Sequence, residues 1–124
     1  VPHSIETDDV YRIAFVALSG DIGLGDISAL FQEIRERFTG QDYSALIDIS
    51  AAELHGDMET VRAVANFERI FTRIAVYAPS AVLYGLARAY EALSQLYRER
   101  RVAVFRDREH ALQWLMSAAA KNSL

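Results

Sequence analysis

The chain has 124 residues, no cysteine, and a net charge of −4 from 17 acidic and 13 basic side chains. That length predicts one domain over 1–124, able to bury about two thirds of its unfolded surface without a disulfide or a structural metal. The composition excludes disulfides, thiolate catalysis and Cys-based zinc sites, and the acidic balance argues against nucleic acid as the main partner.

The longest unbroken apolar run, Ile13 to Leu18, is far below the ~20 residues of a membrane-spanning helix. Together these features predict a cytoplasmic protein with no membrane span. Charge is unevenly divided. Residues 1–60 hold 12 acidic and 3 basic side chains, and residues 61–124 hold 5 acidic and 10 basic. A two-signed surface of this kind can steer self-association or docking.

Ser4 to Thr7 and Val10 to Leu18 are β-prone and flank Asp8-Asp9, so they predict a hairpin. Gly20 to Asp26 resembles a glycine loop, but its spacing fits neither dinucleotide nor P-loop signatures and no Lys follows. Its glycines are expected to supply positive φ between strand and helix. Asp26 is read as the cap of a helix to Phe38, with Ile27, Leu30, Phe31, Ile34 and Phe38 on one face and Gly40 as its stop.

Tyr43 to Val61 is the stretch around which the rest is arranged. Ser44 to Ile49 suits a central strand, and Asp48 and Ser50 fall where it emerges at its carboxyl end. In open α/β sheets that end is where ligands and partners are met. Gly56 and Asp57 supply a turn and a cap for a helix from about Met58 to Ile70. Arg73 to Tyr77 is a further strand, closed by Pro79. A long helix from Ser80 through about Arg98, a short strand from Arg101 to Phe105 and a final helix capped by Asp107 complete the chain. A hairpin followed by alternating strands and helices predicts an α/β fold with a mainly parallel five-stranded sheet and four helices.

LSGDIGLGDISALFQEI (18–34), ALIDIS (45–50), FTRIAVYAPSAVLYGLARAYEAL (71–93) and VAVFRDREHALQWL (102–115) together resemble the SpoIIAA-like family, a bacterial branch of the STAS superfamily also described as STAS/SEC14-like. The resemblance implies a superhelix of βα units and a non-enzymatic role in regulation or protein interaction, with no cofactor. Its SEC14 side implies an alternative, a carrier or sensor of an apolar or amphipathic small molecule. In anti-sigma-factor antagonists of this superfamily the central strand leads to a turn ending Asp-Ser, and that Ser is phosphorylated. Here the Asp falls at Asp57 and the Ser at Met58, which cannot accept phosphate.

Asp48, Ser50, Glu53, His55 and Asp57 form the richest constellation. Metal binding through Glu53, His55 and Asp57 would need an extended segment, whereas Ala51-Ala52 and Gly56 favour a turn. A hydrolase built from Ser50, His55 and Asp48 lacks the nucleophile elbow. No catalytic or metal residue is therefore assigned, and Asp48, Ser50, His55, Asp57 and Met58 are expected to form a partner or ligand surface. Arg98, Arg100, Arg101, Arg106 and Arg108 bracket the last strand and read as a solvated strand end. Tyr77, Tyr84, Tyr90 and Tyr97 straddle core and water. The helix from Ser80 carries two apolar stripes. The second, Leu83, Ala87, Tyr90 and Tyr97, predicts a two-fold homodimer with this helix against its mate.

Overall fold

A computed structural model of the chain describes residues 2–54, 70–97 and 102–122, without the side chains of Leu54, 93–97 and 118–122. The elements in order are β1 (His3–Asp8), β2 (Ile13–Ile22), α1 (Leu24–Phe38), β3 (Ser44–Leu54), β4 (Ile74–Tyr77), α2 (Ala81–Tyr97), β5 (Val102–Phe105) and α3 (Arg108–Asn122). The five strands form one sheet in the order β1-β2-β3-β4-β5. β1 pairs antiparallel with β2, and every later pair is parallel, as the alternation of strands and helices predicts. The helix expected over 58–70 lies outside the described residues.

Successive side chains of a strand point to opposite faces, and the two faces are covered unequally. One face presents Ala14, Val16 and Leu18 of β2, Ala45, Ile47 and Ile49 of β3, Ile74 and Val76 of β4, and Val102 and Val104 of β5. α1 lays Ile27, Leu30, Ile34 and Phe38 on this face, the stripe its sequence periodicity marks. α2 adds Ala87 and Tyr90 to the same core. The opposite face has a smaller core, in which α3 sets Ala111 and Leu115 over Ile13, Leu46 and Ala75. α3 sits mainly over β3, β4 and β5 and reaches β2 at Ile13 and Phe15.

The sequence boundaries shift at β2, at α1 and at β3, which runs on as strand to Leu54, so that Ala51 and Ala52, read as favouring a turn, are extended. β2 begins at Ile13, after a turn in which Asp8 accepts the N–H groups of Val10 and Tyr11. It also runs on through Gly20 and Asp21, the residues read as a loop, because Ser19 to Ile22 pair with Ala51 to Leu54 of β3. α1 starts at Leu24, so Asp26 is not its cap. The Asp26 carboxylate instead reaches back to accept the Gly23 N–H at 2.9 Å. Asp107 caps the final helix as expected, accepting from His110 N–H at 3.1 Å, and Ser80 caps α2, accepting from Leu83 N–H at 3.1 Å.

The proposed dimer stripe belongs to the core. Ala87 and Tyr90 are each 6% exposed, and Leu83 packs on the same cluster. The outer face of α2 is Val82, Gly85, Ala89 and Ala92. Tyr97 lies in the helix, but its side chain is outside the described set.

Candidate functional site

β3 changes register within the candidate site. Ala17 of β2 opposes Asp48, but Ser19 opposes Ala51, so β3 carries one extra residue at Ile49-Ser50. The bulge inverts the alternation of β3. Ile49 faces the main core before it and Ala52 after it. Asp48 Oδ1 accepts the Ser50 N–H at 2.9 Å, giving a partner to a donor beside the interrupted ladder.

β4 ends at Tyr77, opposite Asp48, so among the described residues β3 pairs from Ser50 onward with β2 alone. The two strands therefore project as a ribbon at the carboxyl edge of the parallel strands. Ile22 and Ala52 of this ribbon are buried on the α1 side. Ser19, Ser50, Ala51 and Glu53 are exposed, and Asp21 stands directly opposite Glu53 in register.

The α3 face of the sheet holds a groove of about 240 Å³ next to the start of α3. Its rows follow from the ladder. Ser4, Ala17 and Asp48 form one cross-strand row, and Glu6, Phe15 and Leu46 form the next. Ser4 and Ala17 are small, which makes the hollow. Arg108, the first residue of α3, holds its guanidinium 5.7 Å from the centre of the Phe15 ring.

Asp48 thus belongs to both the expected surface and this groove, and Ser50 lies just beyond it. His55, Asp57 and Met58 are outside the described residues. The arginine group divides. Arg106 donates from Nε and Nη2 to the Pro79 carbonyl, at 3.3 and 3.0 Å, and lies over Tyr84, tying β5 to the start of α2. Arg108 faces the groove, while Arg98, Arg100 and Arg101 are not described. Of the described tyrosines, Tyr84 and Tyr90 pack in the main core and Tyr77 packs on the opposite face. His3 pairs through Nε2 with Glu33 of α1 at 2.6 Å. Glu6, Phe15 and Arg108 were not linked by sequence reasoning, since only the register brings them together. Among the described residues no group of three metal-binding side chains occurs.

No protein-family model matches the sequence, and no curated protein matches it. Solved structures do. An uncharacterised protein of the DUF3478 family from Shewanella loihica, described as having a SpoIIAA-like fold, superposes with a TM-score of 0.62 at 18% identity over 91% of each chain. An anti-sigma factor antagonist from Mycobacterium paratuberculosis superposes with a TM-score of 0.58 at 21% identity, over 91% of this chain and 92% of its own. The strand order, the antiparallel first strand and these superpositions together establish that the chain has a SpoIIAA-like fold.

Proposed function

We propose that the protein is a non-enzymatic interaction module, one domain over 1–124, that binds a protein partner at the carboxyl edge of β2 and β3. The observation that carries this reading is the ribbon beyond β4. It is anchored on one side by Ile22 and Ala52, and it offers Ser50, Ala51 and Glu53 on an exposed edge. Ligands of open α/β sheets are met at this edge. The similarity in fold to an anti-sigma factor antagonist, a protein that works through a protein partner, supports the same reading. Asp48, the carboxylate nearest Ser50, accepts a backbone hydrogen bond there, which suits a scaffold more than a general base.

The competing carrier reading needs an enclosed apolar pocket of ~300 Å³ or more. Among the described residues, the groove beside α3 is smaller and open, and it carries Glu6, Asp48 and Arg108.

The test is affinity purification of the tagged protein from its own cells, in wild-type and Ser50→Arg forms. The reading expects one protein recovered in near-stoichiometric amount with the wild type and lost with the folded variant. Equal recovery from both, or none from either, contradicts it.

A further inference from the structure

The two edges of the sheet are finished differently. At β5 the Glu91 carboxylate accepts the outward Val104 N–H at 3.0 Å. β1 has no such cover among the described residues. It pairs with β2 on one side, and no backbone hydrogen bond reaches its other side. The ladder says which groups are left there. The Ser19 N–H donates to the Pro2 carbonyl at 2.9 Å, and in an antiparallel pair such bonded positions recur every second residue. Ser4, Glu6 and Asp8 therefore turn their backbone groups to Ala17, Phe15 and Ile13 of β2, while His3, Ile5 and Thr7 turn theirs outward. Each of the latter presents one N–H and one C=O. Natural sheets blunt such a row with a bulge, a proline or a lysine. β1 runs from His3 to Asp8 in unbroken register with none of these inside it.

The charges on β1, Glu6 and Asp8, select a register for a second copy of the strand. Two β1 strands paired antiparallel about Ile5 set Ile5 against Ile5, His3 against Thr7, Ser4 against Glu6 and Pro2 against Asp8. Every outward group of His3, Ile5 and Thr7 then has a partner. No like charges stand directly opposite, and the two Glu6 side chains are diagonal neighbours about 7–8 Å apart. Only shifts by an even number of residues keep the outward groups facing each other. A shift of two one way sets Glu6 against Glu6, and like charges directly opposite destabilise a sheet. A shift of two the other way sets Thr7 against residue 1, ahead of β1. Side chains agree with the centred register. The two Ile5 side chains meet on the α1 face, where each already packs against the main core, and Ser4 meets the Glu6 carboxylate on the other face.

We propose that two copies of the chain associate edge to edge through β1, antiparallel about Ile5, and so join their sheets into one. The contact uses neither Ser50 nor the ribbon beyond β4. It therefore stands or falls separately from the partner contact proposed there.

The experiment combines sedimentation equilibrium and amide hydrogen exchange on the full chain, with Thr7→Pro and Thr7→Val as variants. Thr7 is exposed and its N–H lies outside the β2 ladder, so proline there removes no backbone bond within one copy. Valine keeps the N–H, and both variants lose the hydroxyl that meets Asp9. The wild type should dimerise with a Kd of about 100 μM or tighter, and Thr7→Val should match it. Thr7→Pro should dimerise about tenfold more weakly or worse, because each copy loses a donor across the two-fold contact. In the wild type the amides of His3, Ile5 and Thr7 should exchange about fourfold more slowly, or slower still, at about 1 mM than at about 10 μM. Those of Ser4 and Glu6, bonded to β2, should stay protected at both concentrations. A wild type that remains monomeric at about 1 mM, ten times that Kd, overturns the proposal. So does a dimer in which the three outward amides exchange equally fast at both concentrations, or a folded Thr7→Pro that dimerises like the wild type. The exchange measurement needs no variant and decides the matter alone should Thr7→Pro fail to fold.

Discussion

Glu91 of α2 closes the free edge of the sheet at β5. Its Oε2 accepts the Val104 N–H at 3.0 Å, and its Oε1 accepts from Arg88 at 2.6 Å. Val104 belongs to the last strand, and this N–H is not used in the ladder with β4. Left bare, such an edge is a template for pairing with another chain. Glu91 is only 8% exposed, so the carboxylate is held in a near-dry position by its two donors. Glu91→Ala would leave a buried N–H without a partner and is expected to cost about 2–3 kcal/mol. Glu91→Gln retains an acceptor and should cost about 1 kcal/mol. Urea unfolding of the three proteins checks the order, and light scattering should show the alanine variant aggregating first.

At the opposite end of the sheet, the Tyr43 hydroxyl donates to Asp9 Oδ1 at 2.5 Å, joining the β1–β2 turn to the start of β3. That bond, with a further one from Thr7, holds the Asp9 carboxyl below its ordinary value, and the same bond to Asp9 raises the Tyr43 phenol. A depressed carboxyl contributes stability above its unfolded value of about 3.9, and that contribution is lost as pH falls through the lower folded value. A raised phenol contributes below its unfolded value of about 10, and that contribution is lost as pH rises through the higher folded value. Tyr43→Phe should return Asp9 toward the ordinary carboxylate range in an NMR pH titration. An unchanged Asp9 midpoint would mean that the bond does not persist in solution.

Asp48 and Ser50 are expected to separate when mutated. Asp48→Ala removes the acceptor for the Ser50 N–H and should cost about 1 kcal/mol. Ser50→Ala leaves that backbone bond intact, and the exposed hydroxyl should matter by no more than about 0.5 kcal/mol. Thermal unfolding of the two variants measures the difference. Equal losses would indicate that the bulge does not depend on Asp48.

The two sides of α2 give a sharper contrast. Tyr90→Glu places a carboxylate in the main core and should unfold the protein or cost more than about 4 kcal/mol. Val82 is 75% exposed, and Val82→Glu should change stability by no more than about 0.5 kcal/mol. Circular dichroism and urea unfolding distinguish them. A folded Tyr90→Glu protein would restore that stripe as a candidate contact between copies.

Much of the fold was legible because it is written in local pattern. The face of α1, the cap Asp107, and the hairpin before the alternating elements all follow from spacings of a few residues. The extension of β2 was not legible. Gly20 and Asp21 have low strand propensity, and only pairing with β3 keeps them in the ladder. The bulge at Ile49-Ser50 leaves no local mark either, since it is a mismatch between two strands. Within the candidate site, Asp48 was found from its place on the central strand. Glu6, Phe15 and Arg108 come from three elements, and their adjacency is a product of register. One signal was available: an arginine as the first residue after a helix cap, set against the dipole.

The central claim is that the ribbon edge meets a protein partner, and site-specific photo-crosslinking in cells tests it most directly. A photoreactive residue would replace Ser50 on the ribbon in one protein and Val82 on the outer face of α2 in another. The account predicts a discrete covalent adduct with a single second protein from position 50 and none from position 82. No adduct from position 50, or the same adduct from both positions, would contradict it.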